Sequence, residues 1–145
     1  MTAQQAIEKA NGFKQGNTAT DEEKLAWLTE LDGMVYEEVI LQHLHRLPID
    51  GQPSRWWSVV DGQWTFAPAP VYTPDNAGDT LIAKEPYNEF YVYWLMAKID
   101  LHSQDLNRYN NDYAQFEMAY QQFKNRYHIS HRPLPDPSIK VGEFR

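Results

Sequence analysis

The chain has 145 residues, no cysteine, 14% aromatic residues and a formal net charge of −7. That length supports one domain with its own core. The missing cysteines exclude disulfides and thiolate metal sites, and the negative charge argues against general nucleic-acid binding through phosphate. No window of eighteen apolar residues and no secretory leader is present, so neither a membrane span nor signal-peptide export is expected.

A first short helix is expected from Thr2 to Phe13, with Ala3, Ala6, Ile7 and Ala10 on one side and Gly12 as the left-handed residue that ends it. A long helix is expected over 20–45. Thr20 and Glu23 form a capping-box pattern at its start, and Leu28, Leu31, Val35 and Val39 recur at helical spacing, widened by Trp27, Met34 and Leu41. Pro48 stops it. Gly33 inside it implies a close helix approach or a bend. Seven acids against one Lys between Asp21 and Glu38 make a dense negative face, read either as a solvated surface or as a wall turned toward something to be kept at a distance.

Residues 47–80 are rich in Pro and Gly and read as an arm. Within it, two runs of Trp, Val, Thr and Phe flank Asp61-Gly62, which predicts a β-hairpin over about 55–67 with strands Arg55–Val60 and Gln63–Phe66. Trp56, Trp57 and Trp64 serve either as core cover or as an inter-subunit hook.

Residues 86–127 read as a helical hairpin broken near Ser103 and Gln104, with Pro86 at the first helical position and Ser103 or Asp105 capping the second arm. Tyr87, Phe90, Trp94, Ala97 and Leu101 mark the inner stripe of the first arm. The second carries Tyr109, Tyr113, Phe116, Tyr120, Phe123 and Tyr127 at spacings of four, three, four, three and four, one continuous aromatic stripe. Phe90, Trp94, Phe116, Tyr120 and Phe123 are expected to close against Leu28, Leu31 and Val35. Tyr109, Tyr113 and Tyr127, whose hydroxyls tolerate water, suit a subunit seam. Pro133, Pro135 and Pro137 then predict an extended, basic tail over 128–145, outside a helical domain of residues 1–127.

Catalytic signals are weak. His43-Leu44-His45 points its rings apart, and His128 with His131 would share a metal only if the helix continued that far, against which the prolines argue. No nucleophile elbow and no phosphate-cradling glycine loop is present. No catalytic residue, metal or cofactor is expected, and the chain is not read as an enzyme.

Three strings carry a resemblance: LAWLTELDGMVYEEVI from Leu25 to Ile40, LIAKEPYNEFYVYWLMAKIDL from Leu81 to Leu101, and RYNNDYAQFEMAYQQFKNRYHISHRP from Arg108 to Pro133. They resemble small phage and prophage proteins of the head–tail connector type (adaptor, head-completion). The hairpin RWWSVVDGQWTF departs from that pattern. The resemblance implies a helical protomer made in the host cytoplasm and assembled in the virion neck as a homo-oligomeric ring, commonly of twelve copies. It implies contact with the portal protein on one side, a tail or stopper protein on the other, and passing DNA in the lumen. Under that reading Glu22, Glu23, Glu30, Glu37 and Glu38 would face the channel and repel sliding DNA. Trp56, Trp57, Trp64, Tyr109, Tyr113 and Tyr127 would sit between subunits. The tail, through Arg132, Pro133, Leu134, Pro135, Ile139, Lys140, Val141, Phe144 and Arg145, would dock on portal. A different neck or tail-completion ring, or a non-enzymatic prophage-encoded interaction module acting through the Trp hairpin, are the alternatives.

Overall fold

A computed structural model of the chain describes residues 1–43 and 54–131. The chain is mostly helical, with one two-stranded antiparallel hairpin. Helix α1 spans Ala3–Phe13 and opens on a capping box in which Thr2 and Gln5 bond reciprocally. Gly12 lies inside it rather than ending it. The left-handed residue is Gly16, four positions on, where the backbone reverses with φ +77°.

Helix α2 spans Asp21–Val35 and is followed without a break by a π turn over Tyr36–Ile40 and a 3-10 turn over Leu41–His43. The Thr20 hydroxyl accepts from the Glu23 amide at 3.1 Å, as the cap requires. The Glu23 carboxylate meets His102 Nε2 at 3.2 Å instead of turning back to Thr20. Leu28, Leu31, Val35 and Val39 are buried as their spacing predicts. Leu41 is not: the wider π turn shifts the helical register, and its side chain is 41% exposed. A side chain at Gly33 would meet open space, so neither a close approach nor a packing need accounts for that glycine.

Strands β1 (Trp57–Val60) and β2 (Gln63–Phe66) pair in register Trp57 with Phe66 and Val59 with Trp64. Asp61 and Gly62 both take positive φ, the geometry a two-residue primed turn demands. Helix α3 spans Phe90–His102 and α4 spans Leu106–Ser130, joined by a tight turn in which Asp105 caps α4 by accepting from the Arg108 amide. Pro86 does not start α3. It sits in the turn before the helix, after a cis peptide bond. Two of its amides hold that segment: Leu81 N–H donates to the Met1 carbonyl, and Ala83 N–H to the Tyr91 hydroxyl. The expected stop at 127 is three residues early, because α4 runs to Ser130. Tail residues Arg132 to Arg145 lie outside the described residues, as do 44–53.

The core is one cluster. Phe90, Trp94, Phe116, Tyr120 and Phe123 are buried with Leu28, Leu31 and Val35. Phe90 touches three rings of α4, with centroids 6.4, 5.2 and 5.0 Å from Phe116, Tyr120 and Phe123. Inside this cluster lies a polar knot that periodicity does not show. Asp32, fully buried, accepts from the Tyr91 hydroxyl at 2.6 Å, from the Ile82 amide at 3.1 Å and from the Tyr72 hydroxyl. Burial pushes its carboxyl up, and the three donors work against that. Burial and the neighbouring carboxylate hold the Tyr91 hydroxyl well above its usual range, so it stays a donor.

Two expectations follow from these contacts. Tyr91→Phe leaves one Asp32 oxygen and the Ala83 amide without a partner, and should cost about 1–3 kcal/mol. Tyr120→Phe, whose Glu38 partner lies nearer solvent, should cost less; urea unfolding compares the two, and equal losses would remove Asp32 from the centre of the argument. Gly33→Ala, filling open space in a helix interior, should raise stability by about 0.5–1 kcal/mol in the same assay.

Candidate interaction site

The π turn that follows α2 fastens the hairpin to the helical body. It places Tyr36 so that its hydroxyl donates to the Ala67 carbonyl at 2.7 Å. Its ring packs on Trp56 and Phe66, with centroids 5.6 and 5.9 Å away. The hairpin is thereby fastened at its root. Trp57 adds an edge contact to Phe66 at 5.3 Å. Farther along, the cross-strand pair of Val59 and Trp64 stands toward the turn, with Val59 half exposed. The three tryptophans therefore divide. Trp56 and Trp57 fix the root, and Trp64 with Val59 forms an apolar tip.

Between the hairpin root and the last turns of α4 lies a cleft of about 580 Å³, lined among others by Arg55, Trp56, Lys84, Tyr87, Arg126 and Tyr127. Its two guanidinium groups lie against rings: Arg55 is 5.2 Å from the Trp56 centroid and Arg126 is 5.4 Å from that of Tyr87. Arg55 also donates to the Leu81 carbonyl at 3.0 Å. At the end of this cleft the 3-10 turn meets the end of α4. His43 Nε2 is 2.6 Å from His128 Nδ1, and His43 Nδ1 is 3.0 Å from the His131 carbonyl. Sequence reasoning divorced these histidines because it ended α4 too soon.

On α4, Tyr109 and Tyr113 stack on each other at 5.5 Å and are half-buried, as is Tyr127. Leu106, Met118 and Ile129 are exposed large apolar side chains on the same helix, Met118 at 69%.

The five acids assigned to a channel wall do not share one environment. Glu23 meets His102, Glu30 meets Lys98 at 3.7 Å, and Glu38 both accepts from the Tyr120 hydroxyl at 2.6 Å and meets Lys124 at 3.7 Å. Glu22 and Glu37 are exposed. Asp32, a sixth acid of the same stretch, is in the core. The dense negative run thus splits into ion pairs, a buried anchor and a solvent-facing remainder.

A second charged cluster joins three helices. Lys14 lies 3.0 Å from Asp100 and 2.8 Å from Asp112. Burial, with the hydrogen bond to Asp112 adding to it, pushes the Asp100 carboxyl up to about 6, against the pull of Lys14. Burial works against the Lys14 ammonium, but its bonds to Asp112 and Asp100 outweigh that and raise it. One ammonium is shared between two carboxylates, which leaves one negative charge in excess when Asp100 is ionised. Among the described residues no group of three or more His, Asp and Glu side chains is placed to hold a metal ion, and no helix is long and apolar enough to cross a membrane.

A scan against protein-family models, a search of curated proteins and a search of solved structures each found no match.

The Asp100 site makes a pH prediction. The folded chain holds that proton more tightly than the unfolded chain, where Asp titrates near about 3.9. Its contribution is therefore fully present below about pH 4 and is lost as pH rises through about 6. Asp100→Asn should flatten the dependence of unfolding free energy on pH between about 4 and 6; an unchanged slope would place the proton elsewhere.

Proposed function

We propose that the chain is a structural component of a bacteriophage neck, an adaptor ring that joins the capsid portal to the tail and lines the DNA channel. The observation that carries the reading is where the resembling strings fall. Leu25–Ile40 supplies α2 and the π turn, Leu81–Leu101 supplies Asp32's amide partner and α3, and Arg108–Pro133 covers nearly all of α4. The segments that resemble connector proteins thus supply most of the single core, to which Ala3, Ala6, Ile7 and Ala10 of α1 and Tyr72 are added, while the departing hairpin is attached at the side. A shared body carrying a variable peripheral arm suits a ring subunit whose partners differ from one system to another.

The surfaces suit assembly. The Tyr109–Tyr113 pair and Tyr127 are half-buried rings at the edge of the core, aromatic area with wet hydroxyls, which favours a subunit seam. Glu22 and Glu37 supply exposed negative charge for a lumen that DNA passes without sticking. The basic segment of residues 132–145 would reach portal, and the other side of the ring would receive a tail or stopper protein. The chemistry is docking, with no catalytic step, and the site of action is the virion neck.

One observation favours a second reading. The Val59–Trp64 tip is an apolar end on an otherwise anchored hairpin, which suits a prophage-encoded module that grips one host protein. Stoichiometry separates the two. Native mass measurement of the protein mixed with purified portal should show a large closed ring on portal, whereas a monomer or dimer that ignores portal would overturn the neck assignment. In the same assay Tyr113→Ala should reduce ring formation while shifting the urea midpoint little. A large stability loss with assembly intact would move Tyr113 into the core.

A further inference from the structure

Where the 3-10 turn meets the last turn of α4, two imidazole nitrogens face each other. His43 Nε2 and His128 Nδ1 are 2.6 Å apart, between residues 85 positions distant in sequence. The other nitrogen of His43 decides what the first can do. His43 Nδ1 lies 3.0 Å from the His131 main-chain carbonyl. A carbonyl only accepts, so Nδ1 carries a proton, and in the neutral form of the ring the lone pair is at Nε2. Metal-binding histidines are held in this way, with one nitrogen tied to a carbonyl; here the other is turned to His128.

The carbonyl is itself held in place. His131 N–H donates to the Tyr127 carbonyl at 2.9 Å, and the His131 ring stacks on the Tyr127 ring at 3.8 Å with an interplanar angle of 5°. His131 Nδ1 lies 3.0 Å from the same Tyr127 carbonyl, so that nitrogen is taken up in a local bond. The His131 ring is thus a positioning group, and the pair that faces inward is His43 with His128.

We propose that His43 Nε2 and His128 Nδ1 form a two-imidazole site for a divalent transition metal of the Zn²⁺, Ni²⁺ or Cu²⁺ kind, with water completing the coordination. Neutral imidazole suits these borderline ions and not Mg²⁺ or Ca²⁺, which take oxygen. Two nitrogens each about 2.0–2.1 Å from a tetrahedral ion stand about 3.3 Å apart, so the rings must open by about 0.7 Å. His128 is exposed on the last turn of α4, so a small χ rotation of that ring supplies this. The proton between them needs no acceptor outside the ring: in the tautomer that donates from His128 Nδ1, it passes through solvent to Nε2 of the same ring as the metal takes the Nδ1 lone pair. The chain's net charge of −7 favours cation approach. The ion would tie the end of the 3-10 turn to the end of α4, at His43 before residues 44–53 and close to His131 before residues 132–145. This inference does not depend on the neck assignment.

The test uses the full chain without an affinity tag, titrated with ZnCl₂ by calorimetry and followed by thermal unfolding. One ion per chain is expected, with Kd on the order of micromolar. Tm should rise by about 5–10 °C when free Zn²⁺ exceeds Kd a hundredfold. His43→Ala and His128→Ala should each raise Kd at least about tenfold, with circular dichroism checking that the helices persist. His131→Ala should stay within about threefold, since only its main-chain carbonyl serves the site. Unchanged affinity in His128→Ala would overturn the proposal in favour of local chelation around His43. Absence of saturable binding in the parent chain would reduce the contact to a shared proton. A tenfold loss in His131→Ala would put that ring in the site and overturn the two-imidazole assignment.

Discussion

The constraint on which the rest of the fold depends is the buried carboxylate of Asp32. A charge with no solvent is expensive unless every lone pair facing the interior finds a donor. Here three donors converge from three segments: Tyr72 from the arm after the hairpin, the Ile82 amide from the bends before α3, and Tyr91 from α3 itself. Each donor fixes one piece of chain against α2. Tyr72 is further pinned by its own amide, which donates to the Thr29 hydroxyl at 2.9 Å. The Tyr91 hydroxyl passes the constraint on by accepting from Ala83. An apolar residue at 32 would satisfy helical packing equally well, but it would not specify where the irregular segment from 68 to 89 lies. The carboxylate thus gives position to the part of the chain with least regular structure.

Around that anchor the aromatic residues sort by depth. Phe116, Tyr120 and Phe123 close against Phe90 and are nearly inaccessible; Tyr109, Tyr113 and Tyr127 sit at the two ends of the same stripe and keep part of each ring in water. The sorting follows from helix length. Helix α4 has 25 residues and α3 has 13, so α4 extends past its partner and its terminal rings lack a full counterface. The hairpin borrows the same strategy on a smaller scale. Its root rings stack on Tyr36, and its far pair lies beyond any helix.

The regular elements were legible because period and turn chemistry agree with the tertiary outcome: Thr20 as cap, Asp61-Gly62 as a primed turn, and the four-three spacing of α4 all appear where the residues place them. Asp32 was counted among surface acids because its neighbours in sequence are surface acids; its donors come from positions 40 to 59 residues away, which no local pattern reports. Glu23 reads as half of a capping box, yet the nearby His102 of α3 competes successfully for its carboxylate. Leu41 fits a straight α-helix and is displaced by a π turn that no single residue announces. Each miss has the same physical form, a tertiary partner or register change overriding a local preference.

The end of α4 shows how a small error of this kind propagates. Three prolines from position 133 onward suggest that helix stops well before them. Proline, however, acts over a short range: it disfavours helix at the residue just before it and removes one amide, which would have bonded four residues back. Residues up to Ser130 keep their helical conformation, and the end is closed by His131 N–H on the Tyr127 carbonyl with the Ser130 hydroxyl on the same oxygen at 3.1 Å. That last turn carries His128 and the His131 carbonyl to His43. Ending the helix at Tyr127 leaves His128 and His131 in a tail; ending it at Ser130 brings both against His43 in the turn that follows α2. The chemistry at this corner therefore depends on three residues of helix, and the prolines beyond it fix where that helix must stop without reaching back to dissolve it.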